Sequence, residues 1–407
     1  MSNQKYIALI DCDSFFVSCE QKRDKSLRGK PVSVVSGDRG CVIARSKEAK
    51  KLGVGMGMPL FQAKKQFPTG IYINADHYLY TVTSKQVMTI LKDISPFVQV
   101  YSIDEAFVDM TGLIKSYKKN YFQLAKYIKN KIWNEAEIPV SIGISRSKTL
   151  AKLASDYSKN TESHIKLVGK QHIESILKSA NVEDVWGFGR RLSKRLNGYC
   201  IKTAYEFTQK SDEWIKIRFG KNGLFTKYEL LGEVLSPVTN ERTLPKSISD
   251  SKSFEEFTSD LKYLKNELQI HIHETCSRLR KIDSKCMEIG LMLKTKDFRT
   301  FYIKSKLEHP TNFEFDISKV AFGELEKLYD SDTLYRSIGI VLENFILCAD
   351  EQIGLFENNP DKIPHEKLGK ALDKLEKKYG RNIVRTGFTT KNVPFKQGFL
   401  TSPKDVD

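Results

Sequence analysis

The chain has 407 residues, and its 66 Lys and Arg against 50 Asp and Glu give a formal net charge of +16. This length predicts several domains rather than one core, and the basic excess suits nucleic acid, an acidic membrane surface or a ribosomal role. The sequence lacks a Cys-x-x-Cys spacing, an apolar run of about 20 residues and a signal-peptide layout, so we expect a soluble cytoplasmic protein without a zinc site or disulfide framework.

The first part of the chain has the pattern of an α+β domain with an insertion. Residues 1–20 and about 75–170 alternate strand-like and helical runs. Residues 30–67 hold strands and a Lys- and Ala-rich helix that ends near Gly53, which fits a small inserted subdomain.

The second part changes character twice. From 171 to 240 the pattern is helical and basic, and residues 236–246 contain two prolines in a polar cluster, which is typical of an extended linker. Residues 247–347 again alternate strands with amphipathic helices. We therefore predict an α+β multidomain protein.

Two acidic pairs, Asp11 with Asp13 and Asp104 with Glu105, come directly after apolar segments that resemble short strands. Acidic residues at the ends of adjacent strands can gather into one cluster, which is costly unless cations neutralise it. Hard oxygen ligands suit Mg²⁺, and two ions about 4 Å apart can promote phosphoryl transfer. The alternative is that such acids only solvate turns.

The sequence around these acids resembles the Y-family DNA polymerases, the translesion enzymes, and within them the bacterial UmuC branch. Several stretches carry the resemblance in the family's order: 10–20 (IDCDSFFVSCE), 29–35 (GKPVSVV), 40–50 (GCVIARSKEAK), 49–59 (AKKLGVGMGMP), 101–107 (YSIDEAF), 140–155 (VSIGISRSKTLAKLAS) and 184–191 (DVWGFGRR). The matches are dense over residues 6–200 and sparser beyond.

The resemblance implies a right-hand polymerase with a helix-hairpin-helix thumb. Its expected domains are a palm at 1–20 and 75–170, fingers at 21–74, a thumb at 171–240, a little finger at 241–350 and a C-terminal tail at 351–407.

The resemblance also implies the metal ligands. Asp11, Asp104 and Glu105 match the family's catalytic carboxylates, and the Cys12 carbonyl matches a further oxygen ligand for two Mg²⁺ ions, for which Mn²⁺ can substitute. Asp13 is expected to be structural, because the family's triad does not need it.

Five residues match the region that holds the incoming nucleotide. Phe16 occupies the steric-gate position, where a ring excludes a ribose 2′-hydroxyl, while Phe15 beside it is expected to belong to the core, as paired Phe residues usually do. Arg45, Lys50 and Lys159 match the triphosphate ligands, with solvated surface charge as the alternative. Some relatives have Arg at the position of Lys50. The single ammonium group of lysine would replace the guanidinium group, which can form two parallel hydrogen bonds to a phosphate.

Small residues in the predicted fingers match the roof over the templating base, namely Gly40, Cys41, Ile43 and Gly57. Small side chains leave room for a damaged base, whereas the alternative for the glycines is an ordinary turn.

In the predicted thumb, Gly187 and Gly189 resemble the turn of a helix-hairpin-helix, and Arg190, Arg191 and Lys194 follow at once. Glycine lets the backbone approach a phosphate, and the next helix offers its N-terminal N–H groups. A plain helix connection is the alternative.

The predicted tail contains Gln352, Leu355 and Phe356 in the spacing of the Gln-x-x-Leu-Phe peptide with which bacterial polymerases bind the sliding clamp. The two apolar side chains would fill a pocket on the clamp, and Gln352 would bind at its rim.

Together these features predict a DNA-templated, low-fidelity translesion DNA polymerase that adds deoxynucleotides to a primer and acts in DNA repair and the SOS response. A nucleotide cyclase, a two-metal nuclease and a non-catalytic DNA-binding accessory subunit are the alternatives. The expected partners are primer-template DNA, deoxynucleoside triphosphates and the clamp. The sequence leaves open whether a UmuD-like subunit and RecA are needed.

Overall fold

The computed structural model describes residues 5–240, 244–348 and 362–379. These residues form two compact units, one made of 5–240 and the other of 244–348 with 362–379. The break between the units lies within the segment predicted as a linker. The predicted clamp peptide, Gln352 to Phe356, lies outside the described residues.

The first unit contains eight strands and eleven α-helices among its described residues. The strands are β1 (Ile7–Cys12), β2 (Val32–Val35), β3 (Val42–Arg45), β4 (Ile71–Asn74), β5 (Val98–Val100), β6 (Glu105–Asp109), β7 (Val140–Ser145) and β8 (Ile165–Leu167). The helices are α1 (Phe15–Arg23), α2 (Lys47–Leu52), α3 (Leu60–Gln66), α4 (His77–Ile94), α5 (Leu113–Ser116), α6 (Tyr121–Ala136), α7 (Lys148–Ser158), α8 (Ile173–Ser179), α9 (Arg190–Gly198), α10 (Ala204–Thr208) and α11 (Asp212–Leu230).

The larger sheet of this unit has the strand order β5-β6-β1-β7-β8. The central strand β1 pairs antiparallel with β6 and β7, and every one of its residues is buried. Apolar residues of α4 and α6 pack with the sheet in one core. The sheet therefore holds the C-terminal end of β1 in a fixed position.

Helix α7 lies unusually close to this sheet. A Cβ atom at Gly143 of β7 would come within 2.0 Å of the Ser155 backbone nitrogen, so only glycine permits this approach. Glu229 of α11 is fully buried and accepts a hydrogen bond from the Thr149 backbone N–H in the first turn of α7. The position of α7 is thus set from both sides.

A second, three-stranded sheet has the order β3-β2-β4 and lies entirely within the predicted fingers. Helix α2 ends as predicted, with Gly53 as its C-cap at a φ of 103°.

The second unit consists of a four-stranded antiparallel sheet and three helices. Its elements are β9 (Ser247–Thr258), α12 (Leu261–Lys281), β10 (Ser284–Thr295), β11 (Thr300–Thr311), α13 (Glu314–Leu328), β12 (Tyr335–Leu347) and α14 (Lys362–Tyr379). The strand order is β11-β10-β12-β9, and α12 and α13 bury their apolar residues against the sheet. These elements agree with the alternation of strands and amphipathic helices predicted for residues 247–347.

Candidate active site

The two acidic segments meet at one end of the larger sheet. Asp11 of β1 pairs in register with Glu105 of β6, and the Cys12 N–H donates to the Asp104 carbonyl at 2.9 Å. The second segment differs from the sequence expectation, because Asp104 lies in the turn after β5 and Glu105 begins β6. The strand beside β1 is therefore β6, and the hairpin turn, rather than a strand end, presents Asp104.

Two lysines of the α7 region reach the acids. Lys159, which follows the helix, donates to Asp11 Oδ2 at 2.9 Å and to Asp156 Oδ1 at 3.3 Å. Lys152 donates to Glu105 Oε1 at 2.6 Å. Seven residues, or two helical turns, separate these lysines, so they lie on one face of the helix. Asp104 instead accepts a hydrogen bond from the Ser102 hydroxyl.

Burial makes this group of carboxylates costly to ionise. Desolvation, opposed by Lys159 and reinforced by Glu105, raises the pKa of Asp11 to about 7. Desolvation also raises the pKa of Asp104, against the effect of the Ser102 hydrogen bond. Burial would lower the pKa of Lys159, but Asp11 and Asp156 outweigh it and raise that pKa. The acids thus lie in a site that favours added positive charge.

The donor set fits a divalent cation. Asp11, Asp104 and Glu105 offer hard oxygen ligands, and the two lysine ammoniums leave one of the three carboxylate charges without a cation. Among the residues described by the structure, no three His, Cys, Asp or Glu side chains form a ready-made ion site. The side chains would therefore have to exchange their lysine partners for the ion.

Asp13 has separate partners. Its carboxylate accepts from the Ser141 hydroxyl at 2.7 Å and lies 3.2 Å from His164 Nδ1, on the side of β1 that faces β7 and β8. Strand β1 ends at Cys12, so Asp13 already belongs to the turn that leads into α1. These contacts fit the structural role predicted for Asp13.

The two aromatic residues at the start of α1 differ in exposure. Phe15 is buried in the core, as expected from the sequence, whereas Phe16 is only partly buried. The Phe16 ring stacks on Tyr80 with centroids 4.4 Å apart and meets His77 edge-on at 6.0 Å. Tyr80 is itself fixed by its hydrogen bond to Glu20 at 2.7 Å. The Phe16 ring therefore packs against a side chain that has its own buried hydrogen bond.

The other basic residues of the predicted triphosphate site lie in the smaller sheet region. Arg45, at the end of β3, donates to the Val54 carbonyl, and Lys50 is exposed on α2.

Lys148, at the start of α7, donates to Gln99 and to the Ser236 hydroxyl, so it joins the sheet to the segment that leaves α11.

Lys152 is the residue whose contact the sequence reasoning missed. The stretch 140–155, which contains Lys152, carries part of the family resemblance, but no role was assigned to this residue. Its spacing of four from Lys148 and seven from Lys159 was the available signal, because such spacings put all three lysines on one helix face.

The predicted roof residues come together around one turn. Cys41 forms an isolated bridge with Pro59, and the Gly57 N–H donates to the Val42 carbonyl at 2.8 Å. Gly57 has a φ of 74°, which a side chain would strain. Ile43 lies on the adjoining strand β3 and is partly buried.

Where the sequence predicts a helix-hairpin-helix, the structure has a turn that joins a three-residue 3-10 helix to α9. Gly187 has a φ of 91°. Gly189 is the N-cap residue of α9, and as a glycine it has no side chain that could accept hydrogen bonds from the first N–H groups of the helix. Arg190, Arg191 and Lys194 are all exposed on α9. The open N-terminus and the three cations form a surface suited to phosphate.

Comparisons with known proteins point in one direction. Residues 10–156 match the model of the impB/mucB/samB family, and residues 245–355 match that of the impB/mucB/samB family C-terminal domain. Protein UmuC of Salmonella typhimurium is 33% identical over 389 residues, which cover 93% of this chain and 92% of the relative. DNA polymerase IV of Dehalococcoides mccartyi is 32% identical, with coverage of 93% and 96%.

Solved structures agree with the relatives. A Y-family DNA polymerase chimera of Dbh and Dpo4 superposes with a TM-score of 0.73 at 26% identity, covering 84% of this chain and 99% of the other. An insertion ternary complex of Dbh DNA polymerase has a TM-score of 0.57, with the same identity and coverage. Within the described residues, every helix is too short or too polar to cross a bilayer.

Proposed function

The chain belongs to the impB/mucB/samB family and is a UmuC-like, Y-family DNA-directed DNA polymerase, and from this premise we propose how its residues perform translesion synthesis. The cytoplasmic enzyme adds deoxynucleotides to a primer 3′ end by phosphoryl transfer, with low fidelity, in the SOS response. Its palm is 1–20 and 75–170, its fingers 21–74, its thumb 171–240 and its little finger 241–350.

The observation that carries this proposal is the pairing of Asp11 with Glu105 at the end of the sheet, with Lys159 and Lys152 bound to them. Asp11, Asp104, Glu105 and the Cys12 carbonyl would hold two Mg²⁺ ions. When bound, these ions lower the pKa of the primer hydroxyl and stabilise the leaving oxygen.

The lysines are the residues that change partners. Each makes a single strong contact with a catalytic acid through a long, partly exposed side chain. Asp11 would hold an ion in place of its contact with Lys159, and the Lys159 ammonium would then be free to bind the triphosphate, whose negative charge would replace that of Asp11. Arg45 and Lys50 provide further positive charge from the fingers.

Phe16 and the roof set the specificity. The stacking of Phe16 on Tyr80 suits a steric gate, because a ring supported from one side can exclude a 2′-hydroxyl by contact. Gly57 and Cys41 add little volume above the templating base, which favours tolerance of damaged bases over checking of shape.

Primer extension by the purified chain on intact and abasic templates tests the proposal. We expect Mg²⁺-dependent synthesis on both, with an intact template preferred. Phe16→Ala should raise the kcat/KM ratio of ribo- to deoxynucleotides by about tenfold or more, because the excluded group gains space. An unchanged ratio removes Phe16 from the gate, and an inactive wild-type chain favours the accessory-subunit alternative.

The clamp contact has its own test. Replacing Leu355 and Phe356 with Ala removes two apolar anchors, so clamp binding and clamp-stimulated synthesis should fall sharply while basal extension stays near wild type. Ile353→Ala, at a position that the motif leaves unspecified, is the matched control. Normal clamp binding by the double variant would show that the motif match is accidental. Addition of a UmuD-like subunit and RecA to the same assay tests their requirement.

A further inference from the structure

One aromatic ring in the fingers is almost wholly solvated. Phe61, the second residue of α3, is 77% exposed, whereas its neighbour Leu60 is 5% exposed. Burial of an apolar side chain contributes about 1.5–3 kcal/mol to folding, and a ring left in water contributes little of this. Phe61 therefore contributes little to packing, and its ring is free to contact a ligand.

The backbone holds this ring at a fixed place. The Leu60 N–H donates to the Gly40 carbonyl at 2.9 Å, and Pro59 forms the bridge with Cys41. Phe61 thus extends directly from the two roof residues, Gly40 and Cys41, and its main chain is tied to them.

The same helix face is basic. Lys64 and Lys65 lie three and four residues after Phe61, the spacing that places side chains beside one another, and both are exposed. Met56, on the other side of the Gly57 turn, adds a second exposed apolar side chain. An aromatic platform next to cations is the usual means by which proteins bind single-stranded nucleic acid, with bases stacked on the ring and phosphates near the cations.

We propose that Phe61 stacks on the unpaired template base immediately 5′ of the templating base, with Lys64 and Lys65 beside the phosphates of that strand. This inference rests on the proposed function and adds a template contact to it. The templating base pairs under the roof, so the next template base is the first one with a free face. The ring that adjoins the roof lies where that face becomes available.

Single-nucleotide insertion tests this contact on two primer-templates that differ at one position. In one, the template nucleotide 5′ of the templating base carries adenine, and in the other it is an abasic analogue. For the wild type, kcat/KM should be higher with adenine by about fivefold or more, the size of one base–aromatic stack. Phe61→Ala should bring this ratio close to one. Phe61→Trp should keep it, and Phe61→Leu should lose it because the ring is missing.

Phe97→Ala, which removes an exposed ring from the palm, is the matched control and should keep the wild-type ratio. The proposal is overturned if Phe61→Ala keeps the wild-type ratio, including the case in which it slows insertion equally on both templates. It is also overturned if the wild type shows no preference for adenine, which would leave a protein partner as the ligand of this surface.

A binding measurement separates this inference from the proposed function. With 2-aminopurine at the same template position, stacking on Phe61 should make the wild-type complex less fluorescent than the Phe61→Ala complex. If the wild type does not extend primers, the proposed polymerase function fails, yet the fluorescence still decides the contact. Equal fluorescence of the two complexes overturns it.

Discussion

The palm and the second unit each place several acids around two bases in a small space, but they hold them differently. In the palm, Lys152 and Lys159 contact the acids through single ammonium groups, and their side chains are 20% and 38% exposed. In the second unit, His273 and Arg280 are each 8% exposed. We infer that the palm cluster can exchange its lysine partners, whereas the cluster of the second unit is permanent.

The contacts of the second cluster are saturated. His273 bonds Glu314 at 2.8 Å through Nδ1 and Glu376 at 2.7 Å through Nε2. Arg280 binds Asp373 with two parallel hydrogen bonds of 2.8 and 2.9 Å. Both bases lie on α12, and two of the acids lie on α14, so this cluster fixes α14 to the rest of its unit.

The palm cluster should be the one in which loss of an acid affects chemistry rather than folding. We expect Asp104→Ala or Glu105→Ala to lower primer extension by about a thousandfold or more, because metal ligation is lost. DNA binding should remain near wild type. Extension and gel-shift assays on one preparation measure both.

The exposed ion pair of Glu135 with Lys131 offers a control, and Glu135→Ala should extend normally. Trp133, Trp186 and Trp214 all lie in the first unit, so tryptophan fluorescence in urea reports its stability. That stability should be unchanged or higher in the acid variants, because a repulsive carboxylate is removed. Substantial extension by either variant would refute the site.

In the second unit, loss of a charged side chain should lower stability rather than affect chemistry. Arg280→Ala leaves the buried Glu314 and the partly exposed Asp373 without this partner and should destabilise the unit by about 3 kcal/mol. Hydrogen-exchange mass spectrometry of α12 measures the local free energy of opening. Arg299→Ala, which removes an exposed Arg–Asp pair, should change it by less than about 1 kcal/mol. Equal effects of the two variants would mean that the buried pair adds no stability.

The two clusters also differ in what the sequence could predict. Asp11, Asp104 and Glu105 were predicted because short motifs hold them beside strands, and the end of α2 was predicted from Gly53. The contacts of Arg280 with Asp373 and of His273 with Glu376 span 93 and 103 residues. No local pattern indicates such pairs, since tertiary packing alone brings them together. The Lys152–Glu105 contact spans 47 residues, so the spacing of the lysines indicated their shared helix face but not the acid that Lys152 contacts.

The permanent cluster should respond to pH. Burial would lower the pKa of His273, but its bonds to Glu314 and Glu376 raise it to about 10, against about 6.5 in an unfolded chain. A raised folded pKa stabilises fully below about pH 6.5, and this stability is lost as pH rises through about 10. From pH 7 to 10, α12 of the wild type should lose about 3 kcal/mol of protection relative to His273→Gln. If the protection of α12 changed with pH equally in the wild type and in His273→Gln, the bonds of His273 to Glu314 and Glu376 would be contradicted.

The smallest effect should come from the exchangeable cluster. Lys159→Gln removes the cation that Asp11 holds in the free protein and that the triphosphate gains in the reaction. We expect kcat/KM for the incoming nucleotide to fall by about tenfold, the value of one hydrogen bond to a charged group. The loss should appear mainly in KM, since binding of the triphosphate is weakened while the acids remain. Lys178→Gln, which removes an exposed pair with Glu174, is the control and should insert nucleotides normally.

The stability of the first unit distinguishes exchange from permanent pairing. If Lys159 only neutralised Asp11, removing it would destabilise the first unit as much as Arg280→Ala destabilises the second unit. A side chain that is 38% exposed and makes its bonds in contact with water should instead cost about 1 kcal/mol or less. A large loss of stability with an unchanged KM would therefore make Lys159 a structural counter-ion and would remove the difference between the two clusters.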